Sequence, residues 1–173
     1  MKRQIRIDGD LAYVPLTRGY VAVIDAADVP LVDGCNWFTH VKKRADGSIR
    51  GAYAVRMAPR TGPPPRFIYM HRLICGTPDG FETDHIDGDS MNNRRSNLRP
   101  ASAMQNRHNQ GNRVDNKSGY KGVCWAASRG KWQAKIGVAG KQKHLGRFES
   151  AEDAHAAYCK ASAELHGEFG RTE

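Results

Sequence analysis

A polar connection in the middle of the chain limits its fold more than any other feature. Residues 84–97, DHIDGDSMNNRRSN, are rich in the Asp, Asn, Ser and Gly residues that favour turns, and residues 87–96 form the predicted connection. The flanking segments 82–86 and 97–100 have the length of two short hairpin strands. Ser102 is a good N-cap and Gln105 completes a capping box, so a helix should follow. The sequence therefore predicts a hairpin with a polar connection, packed on a helix.

The same connection has the chemistry of a hard-cation site. Three aspartates stand beside His85 within six residues, and carboxylate and amide oxygens suit Mg²⁺ or Mn²⁺. A calcium-binding EF-hand is excluded, because Gly88 in the sixth position would put Thr83 first and Arg94 twelfth, and neither is a carboxylate. The zinc protease and zinc deaminase motifs do not occur in the sequence. An Asx-rich turn that only caps backbone groups remains an alternative.

The charge of the chain indicates a polyanionic partner. Lys and Arg total 27 against 18 Asp and Glu, a net charge of +9 in 173 residues. Residues 116–148 contain eight basic residues and no acidic one. Nucleic acid is the first candidate and an anionic membrane surface the second. No apolar run approaches the roughly 20 residues that span a bilayer, and the N-terminus lacks the core of a secretory signal, so a soluble protein without a membrane partner is expected.

Residues 70–109 contain several short motifs at defined spacing. They read MHRLICGTPDGFETDHIDGDSMNNRRSNLRPASAMQNRHN, with a D-H pair, an I-D-G-D turn, an N-N pair, N-L-R, and an asparagine nine residues after the N of N-L-R. In these motifs the segment resembles HNH endonucleases of the phage and homing type. The letters H, N and H of that name correspond to His85, Asn97 and Asn106. Asn106 departs from the common histidine, although family members also use asparagine there.

The resemblance implies a role for each residue in phosphodiester hydrolysis. His85 would be the general base, since a neutral imidazole can take a proton from water at physiological pH. Asp84 and Asn106 would hold one divalent cation, Mg²⁺ or Mn²⁺, that contacts the scissile phosphate. Asn97 would bond the backbone across the connection and so orient His85. In a regular strand Asp84 and His85 face opposite sides, so this mechanism requires the strand to twist or end there.

The first third of the chain reads as a mainly β module without a catalytic motif. β-Branched and aromatic residues predict strands at 11–16, 20–25, 36–43 and 51–57. Asp46 and Gly47 supply the positive φ of a hairpin turn between the last two. This module would either brace the nuclease hairpin or contact the DNA backbone.

The last third predicts three strands followed by a helix. The strands are expected at 121–126, 131–138 and 141–148. Ser150 is a good N-cap with Asp153 as its reciprocal partner. Apolar residues then recur at helical spacing and should lie on the sheet: Ala154, Ala157, Tyr158, Ala161 and Leu165.

Four motifs in this region, GYKGV, GKWQAKI, LGRF and SAEDAHAAY, occur in that order. The stretch resembles the APETALA2-type DNA-binding domain over nearly its whole length, although Cys124 stands where an arginine is often found. The resemblance implies that one face of the sheet enters the major groove, which is wide enough for a β-ribbon. The expected DNA contacts are Lys121, Trp125, Lys135, Lys143 and His144, with Arg129 and Lys131 added from the charge pattern and Arg72 and Arg99 from the nuclease region.

These features predict an α+β, metal-dependent DNA endonuclease that nicks or cuts double-stranded DNA as a monomer in the cytoplasm of a bacterial or phage-infected cell. The expected domains are a β-rich module at 1–66, an HNH domain of the ββα-metal type at 67–113, a linker at 114–117, and an APETALA2-like domain at 118–173 with a three-stranded antiparallel sheet on one helix. Two alternatives stay open. One is a DNA-binding regulator with an inactive nuclease hairpin, and the other is an RNA-binding protein.

Overall fold

The computed structural model describes residues 3–59, 66–112 and 115–172. Within these ranges the chain mixes several small antiparallel sheets with a few helices, as expected for an α+β protein. It divides into two compact units, Met1–Ala103 and Met104–Glu173. The predicted domain boundaries differ from this division and stay predictions, and residues 113 and 114, at one of them, lie outside the described ranges. No described helix is long and apolar enough to cross a membrane.

The first unit is built from short strands and two short helices. Its described strands form the sheet β1 (Arg6–Asp8), β2 (Leu11–Pro15) and β3 (Val21–Asp25), the sheet β4 (Phe38–Lys43), β5 (Ile49–Met57) and β6 (Phe67–Tyr69), and the hairpin β7 (Glu82–His85) and β8 (Leu98–Ala101). Its helices are α1 (Val29–Val32) and α2 (Met70–Cys75). The strands anticipated from alternation are present, whereas β1 was not anticipated because its three residues are all exposed.

One hydrophobic core joins the parts of the first unit. Alternation in β2 and β3 buries Ala12, Val14, Ala22 and Ile24. These side chains belong to the same cluster as Met70 and Ile74 of α2 and Leu98 of β8. The β-rich segment and the predicted nuclease hairpin therefore fold around shared apolar side chains.

The second unit has three strands and one long helix. The sheet order is β11 (Lys141–Phe148), β10 (Lys131–Val138) and β9 (Val123–Ala126), and α4 (Ala151–His166) follows it. The Ser150 Oγ accepts a hydrogen bond from the Asp153 backbone N–H at 3.0 Å, which confirms the predicted N-cap. A short helix, α3 (Ala103–His108), starts at the boundary between the units.

Helix α4 packs on the sheet through small residues and one tyrosine. Its buried side chains are Ala151, Ala154, Tyr158, Ala161 and Ser162. The expectation that Leu165 joins this face is wrong, since Leu165 is 41% exposed and its neighbour His166 bonds the Gly137 carbonyl instead. Gly122 allows the close approach, because a Cβ there would lie 2.2 Å from the Tyr158 ring.

Candidate functional site

Asp84 and Arg99 face each other across the β7–β8 hairpin. The register pairs them directly, and the Arg99 Nη2 lies 2.9 Å from the Asp84 Oδ2. Both side chains are largely buried, with 12% of Arg99 and 4% of Asp84 exposed. The guanidinium that the sequence suggested as a DNA contact therefore has an internal carboxylate partner, and its DNA contact stays a prediction.

Strand β7 ends at His85. The Gly88 N–H donates to the His85 carbonyl at 2.9 Å, which turns the chain immediately after the strand. The Ile86 N–H donates to the Asn97 carbonyl at 2.9 Å and closes the connection. Asp84 and His85 thus occupy the last two positions of the strand, and both side chains are buried.

Asn93 fixes the tautomer of His85. The Asn93 Oδ1 lies 3.2 Å from the His85 Nε2, while the Asn93 Nδ2 donates to the Met91 carbonyl. An amide oxygen only accepts, so the imidazole hydrogen is on Nε2 and the lone pair of the neutral ring is on Nδ1. Sequence reasoning missed this role, although the N-N pair that contains Asn93 was the available signal.

The imidazoles of His85 and His71 both have pKa values below the ordinary value of histidine. Burial lowers the pKa of His85, against the hydrogen bond with Asn93 and the nearby carboxylates, which raise it. Burial also lowers the pKa of His71 to about 3, helped by the charge of His85 and Lys42. The two rings meet edge to face with centroids 5.1 Å apart. A neutral His85 is the form that can accept a proton.

Asn97 makes bridging bonds across the connection. Its Oδ1 accepts from the Asp87 backbone N–H at 3.0 Å, and its Nδ2 donates to the Asp87 Oδ1 and the Asn92 carbonyl. Burial raises the pKa of the Asp87 carboxyl, but hydrogen bonds from Asn92, Asp89 and Asn97 outweigh it and the pKa is lowered. This geometry supports the bracing role inferred for Asn97.

The connection is also attached to strand β3. The Val23 N–H donates to the Met91 carbonyl at 2.8 Å, and the Asn93 N–H donates to the Val23 carbonyl at 2.7 Å. The next two arginines form ion pairs with acids more than 60 residues away: Arg94 with Asp25 and Arg95 with Asp28. The bond to Asp28 raises the pKa of Arg95. These two ion pairs attach the connection to acidic residues in the first third of the chain.

The donor set suits a hard cation completed by substrate oxygens. Among the residues described, no group of three or more His, Cys, Asp or Glu is arranged to hold a metal ion. Asp84 offers one carboxylate, and Asn106, on α3 in the second unit, offers an amide oxygen. Mg²⁺ is commonly bound through one or two carboxylates, with phosphate and water as further ligands. The Asp84 carboxylate fits such an ion by chemistry, and the participation of Asn106 stays a prediction.

Two other predicted DNA contacts are engaged within their own units. The Arg72 guanidinium donates to the Phe81 carbonyl at 2.7 Å and the Pro78 carbonyl at 3.2 Å. The Lys121 Nζ donates to the carbonyls of His108 and Arg171 at 2.7 and 2.8 Å, and burial lowers its pKa to about 8. Both side chains therefore bond backbone carbonyls at the ends of loops or helices.

The second unit presents a polar sheet face opposite α4. Directly paired residues lie on one face, and the register groups Cys124 and Arg147 with Gln133, and His144 with Lys135. The sequence reading missed Arg147, which the LGRF motif could have indicated. Trp125 pairs instead with the half-buried core residue Trp132, so its 51% exposed ring lies toward the helix side.

The remaining predicted contacts are distributed around the sheet. Lys143 pairs with the buried Ile136, which puts it on the helix side as well. Arg129 is exposed in the turn before β10. The Lys131 Nζ lies 2.7 Å from the Glu149 Oε1 in an exposed ion pair. Of the predicted set, Lys135 and His144 lie on the face opposite the helix.

Comparison with known proteins identifies the central motif. A family model described as HNH endonuclease matches residues 69–108. Protein 3.8 of Escherichia phage T7 is 36% identical over 109 residues, which is 62% of this chain and 89% of that protein. A protein of Acanthamoeba polyphaga mimivirus named as an uncharacterized HNH endonuclease is 32% identical over 104 residues, 60% of this chain but only 53% of its own length. No solved structure matches. The chain therefore belongs to the same family as phage T7 Protein 3.8, and its residues 69–108 form an HNH endonuclease family domain.

Proposed function

We propose that the protein is a metal-dependent endonuclease that hydrolyses phosphodiester bonds in double-stranded DNA. The observation that carries the proposal is the buried His85 imidazole, whose Nε2 lies 3.2 Å from the Asn93 Oδ1, beside a carboxylate at the end of the same strand. The match of residues 69–108 to HNH endonucleases and the similarity to a viral HNH-named protein support it. The viral origin of both relatives supports a phage-infected or similar host cell as the setting, and monomeric state and cytoplasmic location stay predictions.

His85 is the general base in this mechanism. Its Nδ1 lone pair takes a proton from the attacking water, and the ring then becomes an imidazolium that still donates from Nε2 to Asn93. Asn97 holds the loop backbone that follows His85. Asp84 and Asn106 would hold one divalent cation, Mg²⁺ or Mn²⁺, which when bound neutralises phosphoryl charge and stabilises the departing 3′ oxygen.

A supercoiled plasmid tests the proposal. The protein should convert it to nicked or linear DNA in Mg²⁺ or Mn²⁺, and addition of EDTA should abolish the conversion because it removes the cation that neutralises phosphoryl charge. Gel electrophoresis measures the fraction converted over time. If the plasmid is bound but stays intact in both metals, the regulator alternative replaces the nuclease.

We also propose that the second unit binds DNA through the sheet face opposite α4. Lys135 and Arg147 lie on that face, and residues 116–148 contain no acidic side chain. Such one-sign surfaces attract polyanions. The Cys124 position on the same face favours backbone contacts over base reading, since a thiol offers only weak hydrogen bonding.

Salt dependence measures this contribution. If about five cations contact phosphates, the logarithm of the binding constant should fall with the logarithm of salt at a slope near about −4.5. Lys135→Gln should reduce the magnitude of the slope by about 0.9. Lys160 is an exposed residue on α4, so Lys160→Gln should leave the slope unchanged. Fluorescence anisotropy in EDTA measures both variants. Equal slopes for the two variants would assign DNA binding elsewhere.

A further inference from the structure

The sheet formed by β4, β5 and β6 has one core face and one outer face. Thr39, Ala52 and Ala54 are buried on the core side. The opposite positions carry larger side chains. The register pairs His40 with Tyr53 on this face, and the same face continues onto β6. The register puts Phe38, His40, Lys42, Tyr53, Val55, Met57, Phe67 and Tyr69 on this outer face, where Val55 is buried between its neighbours and Lys42, Met57 and Phe67 are exposed.

The rings of the outer face form a continuous row that ends at the candidate base. The row starts at Phe67, which lies edge to face with Phe38 at 5.9 Å and 4.9 Å from the ring of His40. It continues through the pairs His40 and Tyr69 at 6.4 Å, Tyr69 and His71 at 5.3 Å, and His71 and His85 at 5.1 Å. The outer face is therefore contiguous with the nuclease site inside one compact unit.

Part of this aromatic surface is exposed. Phe67 is 37% exposed and Met57, its partner across the sheet, is 48% exposed. Folding of the unit therefore does not fully bury these side chains. Exposed rings beside a phosphate-cleaving site can pack against sugars and bases.

The charge of the sheet matches a polyanion. Its three strands contain no Asp or Glu, and the exposed Lys42 lies on the outer face, whereas Arg56 lies on the core side with its Nε buried. The Lys42 Nζ is held 4.9 Å from the Tyr53 ring centroid and 5.2 Å from that of Tyr69. A cation–π contact of this kind orients the ammonium without neutralising it. Since Tyr53 and Tyr69 both contact the His71 ring, the charge of Lys42 lies close to the site.

We propose that the outer face of the β4–β5–β6 sheet binds the DNA next to the scissile phosphate, with Lys42 contacting a backbone phosphate and Phe67 packing on the sugar or base beyond it. The inference rests on the proposed nuclease function and assigns the β-rich segment a direct role in holding the substrate.

Binding and cleavage are measured separately to test it. In EDTA, anisotropy of a labelled DNA duplex should show that Lys42→Met weakens binding about fivefold and lowers the salt slope by about one, while Lys42→Arg keeps both. Phe67→Ser should weaken binding about fivefold without changing the slope. The matched control is Arg6→Met, an exposed position on β1 that loses the same charge in a different sheet.

The outcomes separate this inference from the proposed function. If the wild type nicks plasmid but Lys42→Met binds DNA no more weakly than Arg6→Met, the sheet is not a DNA surface and the nuclease proposal stands. If the wild type does not nick but Lys42→Met and Phe67→Ser weaken binding as stated, the surface stands and the catalytic proposal fails. If sedimentation shows a dimer that Phe67→Ser dissociates while its DNA affinity is unchanged, a second copy covers the face and the inference is overturned.

Discussion

Replacing His85 with alanine should reduce plasmid nicking by about a thousandfold or more. The variant has no group at that position to take the proton of the attacking water, and general base catalysis typically contributes 10²–10⁴-fold. Initial nicking rates in saturating Mg²⁺ or Mn²⁺ measure the loss. His85→Ala should keep its DNA affinity in EDTA within about twofold, because the phosphate contacts come from other residues. A variant that binds normally and nicks at the wild-type rate would remove His85 from the mechanism.

The pH profile gives an independent check on the same residue. The base works only when neutral, so the wild-type rate should rise with pH and level off above the pKa of His85. Burial lowers that pKa, and the midpoint should therefore lie below the ordinary value of 6.5. The bond with Asn93 raises it, so Asn93→Leu should move the midpoint further down while slowing the reaction. An acidic limb centred above pH 7 would contradict this assignment.

Replacing Arg99 with methionine should destabilise the protein by about 3–5 kcal/mol. The substitution leaves the Asp84 carboxylate buried without the guanidinium 2.9 Å away, and breaking a buried pair from one side typically costs that much. Urea denaturation of the full chain at pH 7 measures it. Arg6→Met is the matched control, because its pair with Asp8 is 66% exposed on both sides and should contribute less than about 1 kcal/mol.

A double variant distinguishes lost charge pairing from lost packing. Adding Asp84→Asn to Arg99→Met removes the buried carboxylate charge and should recover most of the stability. Nicking should stay low in the double variant, since the amide is a weaker cation ligand than the carboxylate. If Arg99→Met costs no more than Arg6→Met, the ion pair is not a structural element of the hairpin.

Local patterns were sufficient to predict most of the elements. Strand alternation located β2, β3 and β10, and the Ser150 cap located the start of α4. The sequence patterns did not indicate the ion-pair partner of each charged residue. Arg94 and Arg95 read as surface cations in the sequence, yet their partners Asp25 and Asp28 are 69 and 67 residues away. Such pairing depends on the tertiary fold and has no local signal.

Sheet register was the second limit. A bulge places the extra residue Leu145 in β11, since Ala134 pairs with Gly146 and Lys135 with His144, and a one-residue slip moves side chains to the other face of a sheet. The sequence reading grouped Trp125 and Lys143 with Lys135, whereas the register puts them on the side opposite to Lys135. In the nuclease hairpin the motif letters predicted His85 and Asn97, but not that the buried Asn93 would orient the imidazole.

The attachment of the polar connection to β3 has a consequence for engineering. A fragment that starts at residue 67 would keep every residue of the motif, yet it would lack Val23, Asp25 and Asp28. Val23 forms backbone hydrogen bonds with the connection, and the two aspartates pair with its two arginines. A chimeric protein that includes this HNH domain should therefore also include strand β3, because the smallest transferable segment is larger than the motif.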